Sequence, residues 1–292
     1  MLARRLLRPL AFAAGAAGAA ALAAGIALAE GALAGLAAPA DRHGARVIRF
    51  SLASRYVHRT LPEVLVVPPG SNGRGRPLLV FLHGRGDDGE EANLNSAMFA
   101  ALAAQGPRAP DVVFPDGGEA SYWHDRAGGA WAQYVVDEVI PAALARTGAD
   151  ARRVAIGGLS MGGFGALDLA RLNPGRFCAV GADSAALWFR GADSAPGAFD
   201  DAADFGRHDL IALAADSNPY ARTPVWLDVG SEDPFRAADA ALARELRARG
   251  AAVQLHVWPG GHESAYWQAH WPSYMRFYAR ALSRCQLSRE RW

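Results

Sequence analysis

The chain has few cysteines and almost no net charge, and both scarcities limit the class of protein that it can be. Its 292 residues include two cysteines, too few for the disulfide framework that holds many small secreted domains together. The 30 arginines nearly balance the 29 aspartates and glutamates, so the overall charge favours neither nucleic acid nor an anionic membrane as a partner. A chain of this length that is 51% hydrophobic can instead bury one sizeable core.

No disulfide framework and no set of metal ligands stands out in the sequence. Cys178 lies in the apolar run 177–180, which predicts a buried small hydrophobic side chain, with a single bridge to Cys285 as the alternative. No two cysteines are close in sequence, and His262-Glu263 is not followed by a second histidine at the spacing of a zinc helix. We therefore predict neither a metal site nor a cofactor.

One long stretch lacks charged residues, and it lies near the N-terminus. Three arginines within the first eight residues precede an Ala/Gly/Leu-rich run over 9–29, a layout typical of an export signal. Small residues suitable for cleavage lie at 27–29 and 38–40. The run is just long enough to span a bilayer, but it is only weakly apolar, which favours a cleaved signal over a permanent anchor. We expect residues 1–40 to be a signal peptide or an N-terminal membrane anchor, and the remainder to act outside the cytoplasm.

The most informative motif is the sequence GLSMG at 158–162, which fits the nucleophile-elbow pattern G-x-S-x-G. The short apolar run before it, 153–157, predicts a buried strand, and 163–172 after it predicts a helix with one apolar face. A serine in such a strand-to-helix turn has a strained backbone and needs small neighbours, which explains the flanking glycines. The motif therefore predicts that Ser160 is held above the edge of a sheet as a nucleophile.

A serine hydroxyl is a weak nucleophile at neutral pH, so it needs a base, and the base needs a carboxylate to orient it. Two later segments, 224–230 and 253–258, predict strands, and each is followed by a loop with a suitable residue. Asp233 follows the first strand and His262 the second. Because parallel strands end at the same edge of a sheet, we expect both side chains to lie beside Ser160.

The acid and the base each have rivals in the sequence. Glu232 is adjacent to Asp233 and remains the alternative acid, whereas Asp228 lies inside a strand and would point into a face of the sheet. Of the eight histidines, those nearest to His262 fall within a strand or a helix. The sequence therefore favours Asp233 as the acid and His262 as the base.

A further glycine-rich turn predicts where an oxyanion would be bound. The apolar run 77–82 is typical of a central parallel strand, and it leads into the turn 83–88. We predict that the backbone N–H groups of Arg85 and Met161 bind the charge that develops on a carbonyl oxygen. Neither glycine stretch ends in the Gly-Lys-Ser/Thr of a phosphate-binding loop.

The remaining segments predict an α/β fold, a doubly wound, mostly parallel sheet with helices on both faces, over residues 41–292. Within it, 184–218 is rich in Ala, Asp and Gly and has no clear period, so we expect a partial lid. Its aromatic side chains could line an acyl site or pack the lid down.

The other predicted elements are leading antiparallel strands at 47–54 and 61–67, helices at 90–104 and 131–146, the second bent at Pro141, strands at 111–114 and 178–183, and a helix at 236–249.

With these motifs in order, the chain resembles the esterase D-like family of α/β-hydrolases, which includes S-formylglutathione hydrolases, feruloyl and acetylxylan esterases, and mycolyltransferases. The resemblance extends over about 76–282. It implies the α/β-hydrolase fold, a catalytic triad and an oxyanion hole. The segments that carry it are 82–84, 158–163, 230–235 and 260–263. The residues that match the family's triad and oxyanion donors are Ser160, Asp233, His262, Arg85 and Met161.

The resemblance also suggests where substrate binds. Residues 115–125 resemble the stretch that lines the acyl or alcohol site in relatives, so Trp123 is a predicted substrate-binding residue, together with Trp188 in the lid. Mycolyltransferases have small non-glycine residues after the elbow methionine and an acidic residue at the position of His83. This chain departs from both patterns, which disfavours that particular activity.

The sequence therefore predicts an exported serine esterase that hydrolyses carboxylic esters, either small molecules or cell-envelope or polysaccharide esters, through an acyl-enzyme on Ser160. One alternative is an acyltransferase that moves the acyl group to a cell-envelope sugar. Another is a catalytically silent cell-wall-binding protein on the same fold. We expect no nucleic-acid partner, and the N-terminal segment could associate with a membrane. The fold and the triad do not encode the acyl or alcohol group.

Overall fold

The computed structural model describes residues 39–86 and 89–285, and these contain an eight-stranded sheet. The first two strands run antiparallel to their neighbours, and the remaining pairs are parallel. The strands of the sheet lie in the order β1-β2-β4-β3-β7-β8-β9-β10. The strands, including the short β5–β6 hairpin, are β1 (Arg46–Ser54), β2 (Arg59–Val67), β3 (Leu78–Leu82), β4 (Asp111–Pro115), β5 (Asp125–Arg126), β6 (Gly129–Ala130), β7 (Val154–Leu159), β8 (Val180–Asp183), β9 (Val225–Gly230) and β10 (Val253–Trp258).

The central strands are buried along their whole length. Every residue of β3, β4, β7, β8 and β9 is buried, as expected for parallel strands that are covered by helices on both faces. This is the doubly wound, mostly parallel sheet that the sequence predicts. The α-helices are α1 (Ser96–Ala103), α2 (Trp131–Tyr134), α3 (Ile140–Thr147), α4 (Met161–Leu172), α5 (Ala202–Arg207), α6 (Leu210–Asp216), α7 (Arg236–Ala248) and α8 (Ser264–Arg284).

Two helices lie on opposite faces of the sheet. A Cβ at the paired glycines Gly157 and Gly181 would collide with the hydroxyl of Tyr278 on α8. A Cβ at Gly163 on α4 would lie 3.4 Å from the Cβ of Ala182, the residue after Gly181. Since successive residues of a strand point to opposite faces, α8 covers one face and α4 the other.

Two predicted helices differ from the observed ones. The helix predicted over 90–104 begins only at α1, because the Asn95 side chain accepts a hydrogen bond from the Met98 N–H at 2.9 Å and so caps the helix there. The helix predicted over 131–146 is irregular, with a π-helical turn at Val135–Val139 between α2 and α3. This turn lies just before Pro141, which has no N–H to continue the regular hydrogen-bond pattern.

The prediction for Cys178 as a free hydrophobic residue was wrong. Cys178, which precedes β8, forms a disulfide with Cys285 at the end of α8, with Cα atoms 5.6 Å apart. Cys178 is also buried, at 4% exposure, so the apolar run was correctly read as buried. With two cysteines in the chain the bridge to Cys285 was open as the alternative, but 107 residues separate them, and only the return of α8 across the sheet brings them together.

The segment 184–218 contains two short helices, α5 and α6, and a 3₁₀ turn at Gly191–Asp193. Its aspartates begin these helices: the Asp201 side chain accepts from the Asp204 N–H, and the Asp209 side chain accepts from the Ala212 N–H. A lid function for this segment remains a prediction.

The predicted signal or anchor at 1–40 lies almost entirely outside the described residues. Of the helices that the structure describes, none is both long enough and apolar enough to span a membrane.

Candidate active site

Ser160 lies between β7 and α4 in a strained backbone conformation. Its φ is +53° and its ψ is −116°, a combination that non-glycine residues rarely adopt. The Ser160 N–H donates to the carbonyl of Asp183 at 2.9 Å, which ties the turn to β8. A Cβ at Gly162 would collide with the carbonyl oxygen of Leu82, so the elbow can pack against β3 only with glycine at that position.

Ser160, His262 and Asp233 form one hydrogen-bonded chain. The Ser160 hydroxyl lies 2.8 Å from Nε2 of His262, and Nδ1 of His262 lies 2.9 Å from Oδ2 of Asp233. Because a carboxylate can only accept, Nδ1 carries the proton of the neutral ring, and Nε2 presents a lone pair to the hydroxyl. The three side chains come from the turns after β7, β9 and β10, at the carboxyl edge of the sheet where the sequence predicts them.

The electrostatics of Asp233 suit an orienting carboxylate. Its side chain has no solvent exposure. Burial would raise the pKa of Asp233, but the hydrogen bonds from His262 and from the Phe235 N–H lower it more, so the pKa lies below its ordinary value. Asp233 is therefore ionised at neutral pH and can stabilise a positive charge on the imidazole.

Neither rival acid takes part in this chain. Glu232 is exposed, and only its backbone N–H is engaged, with the carbonyl of Gly260. Asp228 is fully buried within β9, where it accepts hydrogen bonds from Trp226, Tyr266 and Tyr274. Burial raises the pKa of Asp228, in contrast to the lowered pKa beside His262.

Two aromatic side chains that the sequence analysis missed hold the His262 ring. Phe235 and Trp267 both meet it edge-on, with ring centroids 5.2 Å and 5.0 Å away. Their positions could have been noted from the sequence, since Phe235 is two residues after Asp233 and Trp267 is five residues after His262. Together they leave the His262 side chain 24% exposed, which limits its rotation and its contact with water.

The two predicted oxyanion donors lie on different elements. Met161 is the first residue of α4, so its N–H is at the positive end of the helix dipole. Arg85 lies in the turn after β3. The buried His83 holds this turn: its Nδ1 donates to the carbonyl of Gly84 at 2.7 Å, and its Nε2 accepts from the Gly117 N–H at 2.8 Å. Binding of an oxyanion by these two N–H groups remains a prediction.

With this geometry established, comparison with known proteins identifies the family. Residues 55–277 match the model of the Putative esterase family. The chain belongs to this family. The resemblance to this family seen in the sequence motifs is therefore confirmed.

The chain is similar to Esterase Rv1288 of Mycobacterium tuberculosis, with 26% identity over 243 residues, which cover 69% of this chain and 52% of the relative. The chain therefore spans about half the length of the curated relatives it matches. A solved ferulic acid esterase has 20% identity and a TM-score of 0.70, over 81% of this chain and 99% of that one. An S-formylglutathione hydrolase from Agrobacterium tumefaciens has 20% identity and a TM-score of 0.68, over 82% and 96%. At these identities the structures establish the α/β-hydrolase fold.

Trp123 does not line an open site, contrary to the sequence prediction. Its side chain is fully buried, and its indole N–H donates to the carbonyl of His83 at 3.2 Å. The ring occupies space that side chains at Gly117 and Gly165 would otherwise fill. Trp123 therefore supports the turn after β3 from beneath, and sequence position alone could not show this depth.

Trp188, the other predicted substrate-binding residue, is half-buried near the triad. It meets Phe235 edge-on at 5.5 Å, and Phe235 in turn contacts His262. Trp188 thus connects the segment 184–218 to the site, although its contact with substrate remains a prediction.

A cavity of about 1000 Å³ lies elsewhere, beside β9, β10 and α8. Its lining includes Trp226, Trp258 and the Cys178–Cys285 disulfide, and no triad residue. It is therefore not the site of ester cleavage.

Among the described residues, one group of side chains has the composition of a metal site: His124, Asp204 and His208. The sequence analysis found no metal ligands because His124 lies on a different loop from the helix that presents the other two. Spacing along the chain could not connect them.

Proposed function

We propose that this esterase is exported and that it cleaves carboxylic esters through an acyl-enzyme on Ser160. The observation that carries the proposal is the hydrogen-bonded chain from Ser160 through His262 to Asp233, with distances of 2.8 Å and 2.9 Å. A nucleophile, a base and an orienting carboxylate in this geometry match the roles of a serine hydrolase triad.

In the acylation half, the Ser160 oxygen bonds to the ester carbonyl carbon as its proton moves to Nε2 of His262. Asp233 stabilises the imidazolium that results, and the N–H groups of Arg85 and Met161 bind the oxyanion. The carbon–oxygen bond to the alcohol then breaks, and the alcohol leaves with the proton from His262. In the second half water takes the place of the alcohol, and the acid is released from Ser160.

Two observations support export. The basic start and the apolar run over 9–29 have the layout of an export signal. The Cys178–Cys285 disulfide is of a kind that persists in oxidising compartments and is rare in the reducing cytosol. An enzyme in such a compartment meets environmental or cell-envelope oxygen esters, so we propose these as substrates in preference to glutathione thioesters.

The location is tested by fractionation and by sequencing the N-terminus of the mature protein. We expect the enzyme in the medium or on the outer membrane face, with a mature chain that starts near Glu30 or Asp41. A soluble cytoplasmic protein that begins at Met1 and prefers thioesters would contradict the proposal.

The acyl-enzyme is tested with a short-chain aryl ester under pre-steady-state conditions. We expect a burst of released phenol and an acyl mass increment on the peptide that contains Ser160. Parallel reactions with a sugar acceptor separate the alternatives, since a new sugar ester indicates transfer and free acid alone indicates hydrolysis. Turnover with no acyl group on Ser160 would contradict the mechanism, and no turnover of any ester would favour a silent binding protein.

A further inference from the structure

A second group of titratable side chains lies away from the triad. His124 lies on the loop before β5, Asp204 lies on α5, and His208 follows that helix. Their exposures are 0%, 1% and 8%, and one ligand atom from each lies within 4.8 Å of the others. The triad does not include these residues, so their convergence requires a separate explanation.

The hydrogen bonds of His124 fix where its lone pair points. Its Nε2 lies 3.0 Å from the carbonyl oxygen of Ala198, which can only accept, so Nε2 carries the proton of the neutral ring. Its Nδ1 is buried and has no hydrogen-bond partner among the residues that the structure describes. That lone pair lies 3.9 Å from Oδ1 of Asp204.

A carboxylate fixes the orientation of His208, as a backbone carbonyl does for His124. Its Nδ1 lies 2.9 Å from Oδ2 of Asp168, a buried residue of α4. Nη2 of Arg171 also lies 3.3 Å from this nitrogen, but it donates to the carbonyl of Arg207 at 2.8 Å, and the Asp168 oxygen is the nearer partner, so Asp168 accepts the imidazole proton. Nε2 of His208 then presents its lone pair to Oδ1 of Asp204 at 3.6 Å. A carboxylate behind a histidine is the arrangement that orients metal-binding histidines.

Asp204 is the third residue of the group, and hydrogen bonds orient its carboxylate. Its Oδ2 accepts from the Asp200 N–H at 2.9 Å, and its Oδ1 accepts from Arg207 at 2.9 Å. A carboxylate oxygen has two acceptor sites, so Oδ1 keeps one for a further partner. Two imidazole lone pairs therefore face a carboxylate oxygen in a buried space with no proton between them. Such an arrangement is unfavourable unless a cation, or a proton on one of the rings, lies between these atoms.

We propose that His124, Asp204 and His208 bind a divalent metal ion, with zinc as the preferred ion. Two imidazole nitrogens and one carboxylate oxygen are a donor set that zinc favours. Tetrahedral zinc with bonds of about 2.0–2.1 Å requires ligand atoms about 3.3–3.4 Å apart. The two imidazole nitrogens lie 3.6 Å and 3.9 Å from Oδ1 of Asp204, and all three ligand atoms lie within 4.8 Å of one another, so the group must contract around the ion. A water molecule would take the fourth position.

The ion would connect the segment 184–218 to the body of the protein. The ligands come from that segment and from the loop before β5, and Asp168 adds α4 behind them. The His124 ring also lies 5.4 Å from Phe199, which meets Trp188 at 6.1 Å. The metal therefore holds the base of the segment that carries Trp188, and its role is structural because none of its ligands touches the triad.

The test is zinc binding by the full-length protein after removal of metal with a chelator. We expect one equivalent of zinc per chain after gel filtration, measured by elemental mass spectrometry. Cobalt should give the visible absorption bands of a tetrahedral site. Zinc at about 100 times its dissociation constant should raise the melting temperature by about 5 °C or more.

Variants locate the ion. His124→Gln and His208→Gln should each lose the zinc and the zinc-dependent rise in melting temperature. The matched control is His262→Gln, which removes the other histidine held by a carboxylate and should keep one equivalent. If a ligand variant fails to fold, the cobalt spectrum of the native protein decides on its own.

Two results would overturn the proposal. One is no bound zinc and no cobalt spectrum in the native protein, which would mean that a proton on His208 bridges Asp168 and Asp204 instead. The other is loss of zinc in His262→Gln with retention in His208→Gln, which would place the ion at the triad.

Discussion

Ser160, Asp233 and His262 meet because each belongs to a turn that follows a parallel strand at the same edge of the sheet. The strained φ of +53° at Ser160 is maintained by backbone hydrogen bonds, and the His262 ring is held by aromatic neighbours. The position of each reactive atom is therefore set by its surroundings before any substrate is bound, which is the condition for efficient catalysis.

At the same residue scale, the choice of Asp233 over its neighbour can be tested directly. Asp233→Asn keeps the shape of the side chain but favours the wrong tautomer of His262, so we expect kcat to fall by about 10⁴. Glu232→Gln is the matched control, and it should change kcat little because Glu232 is exposed and outside the hydrogen-bonded chain. Steady-state kinetics on an aryl ester measure both, and the reverse ranking would show that Glu232 is the acid.

The residues of the triad could be predicted because their positions depend on local signals. The elbow requires glycine on both sides of Ser160, and the acid and base must follow strands. Trp123 could not be placed correctly, since a motif gives position along the chain and not depth in the fold. Phe235 and Trp267 lie close to Asp233 and His262 in sequence, but only the ring distances in the fold show that they hold the imidazole.

At the scale of the elements, Asp111 makes stability depend on pH. It is the first residue of β4 and is fully buried, and burial raises its pKa to about 7. An aspartate in the unfolded chain has a pKa of about 4, so between these values the folded state binds the extra proton. The contribution of Asp111 to the free energy of unfolding is thus present in full below about pH 4 and is lost as the pH rises through about 7.

We therefore expect Asp111→Asn to flatten the fall in the free energy of unfolding between pH 5 and 7, by up to about 1.4 kcal/mol per pH unit. Denaturant unfolding across that range measures the slope. Asp150→Asn is the control: the hydrogen bond from Arg152 lowers the pKa of Asp150 to about 2, so its contribution is lost only in more acidic solution. An unchanged slope in Asp111→Asn would show that this carboxyl is ionised in the folded protein.

Regular elements were more predictable than irregular ones. The buried strands β3 and β7 are continuous apolar runs, and β4 and β9 are apolar apart from one aspartate each, so their pattern predicts them. The start of α1 was misplaced because the cap at Asn95, rather than the composition before it, decides where the helix begins. The helices of 184–218 are too short for a period to show, and their aspartate caps are the available signal.

On the scale of the whole molecule, the disulfide closes the chain from Cys178 before β8 to Cys285 after α8. A cross-link that spans 107 residues strongly reduces the conformational entropy of the unfolded chain. Its loss should therefore lower the free energy of unfolding by about 2–5 kcal/mol. Denaturant unfolding of the double variant Cys178→Ser/Cys285→Ser, compared with the native protein, measures this.

The control for that prediction is a reducing agent. It should destabilise the native protein by a similar amount and leave the double variant unchanged. Equal stability of the oxidised and reduced native protein would mean that the bridge adds nothing to the fold.

The fold class of the whole molecule could be predicted because strands and helices alternate along the chain. The sequence left the disulfide open as the less favoured alternative, and it gave no sign of the group at His124, Asp204 and His208. Both join parts of the chain that only the packing of helices on the sheet brings together, and neither has a spacing that reveals it.

The central claim, that Ser160 is the nucleophile of this esterase, is tested most directly with a fluorophosphonate probe, which reacts with activated serines. The native protein and the surface variant Ser51→Ala should both be labelled, on the peptide that contains Ser160. Ser160→Ala should show no labelling, and its ester turnover should fall by several orders of magnitude, to the level that binding and the oxyanion hole alone provide. Labelling of Ser160→Ala, or ester turnover equal to that of the native protein, would contradict the claim.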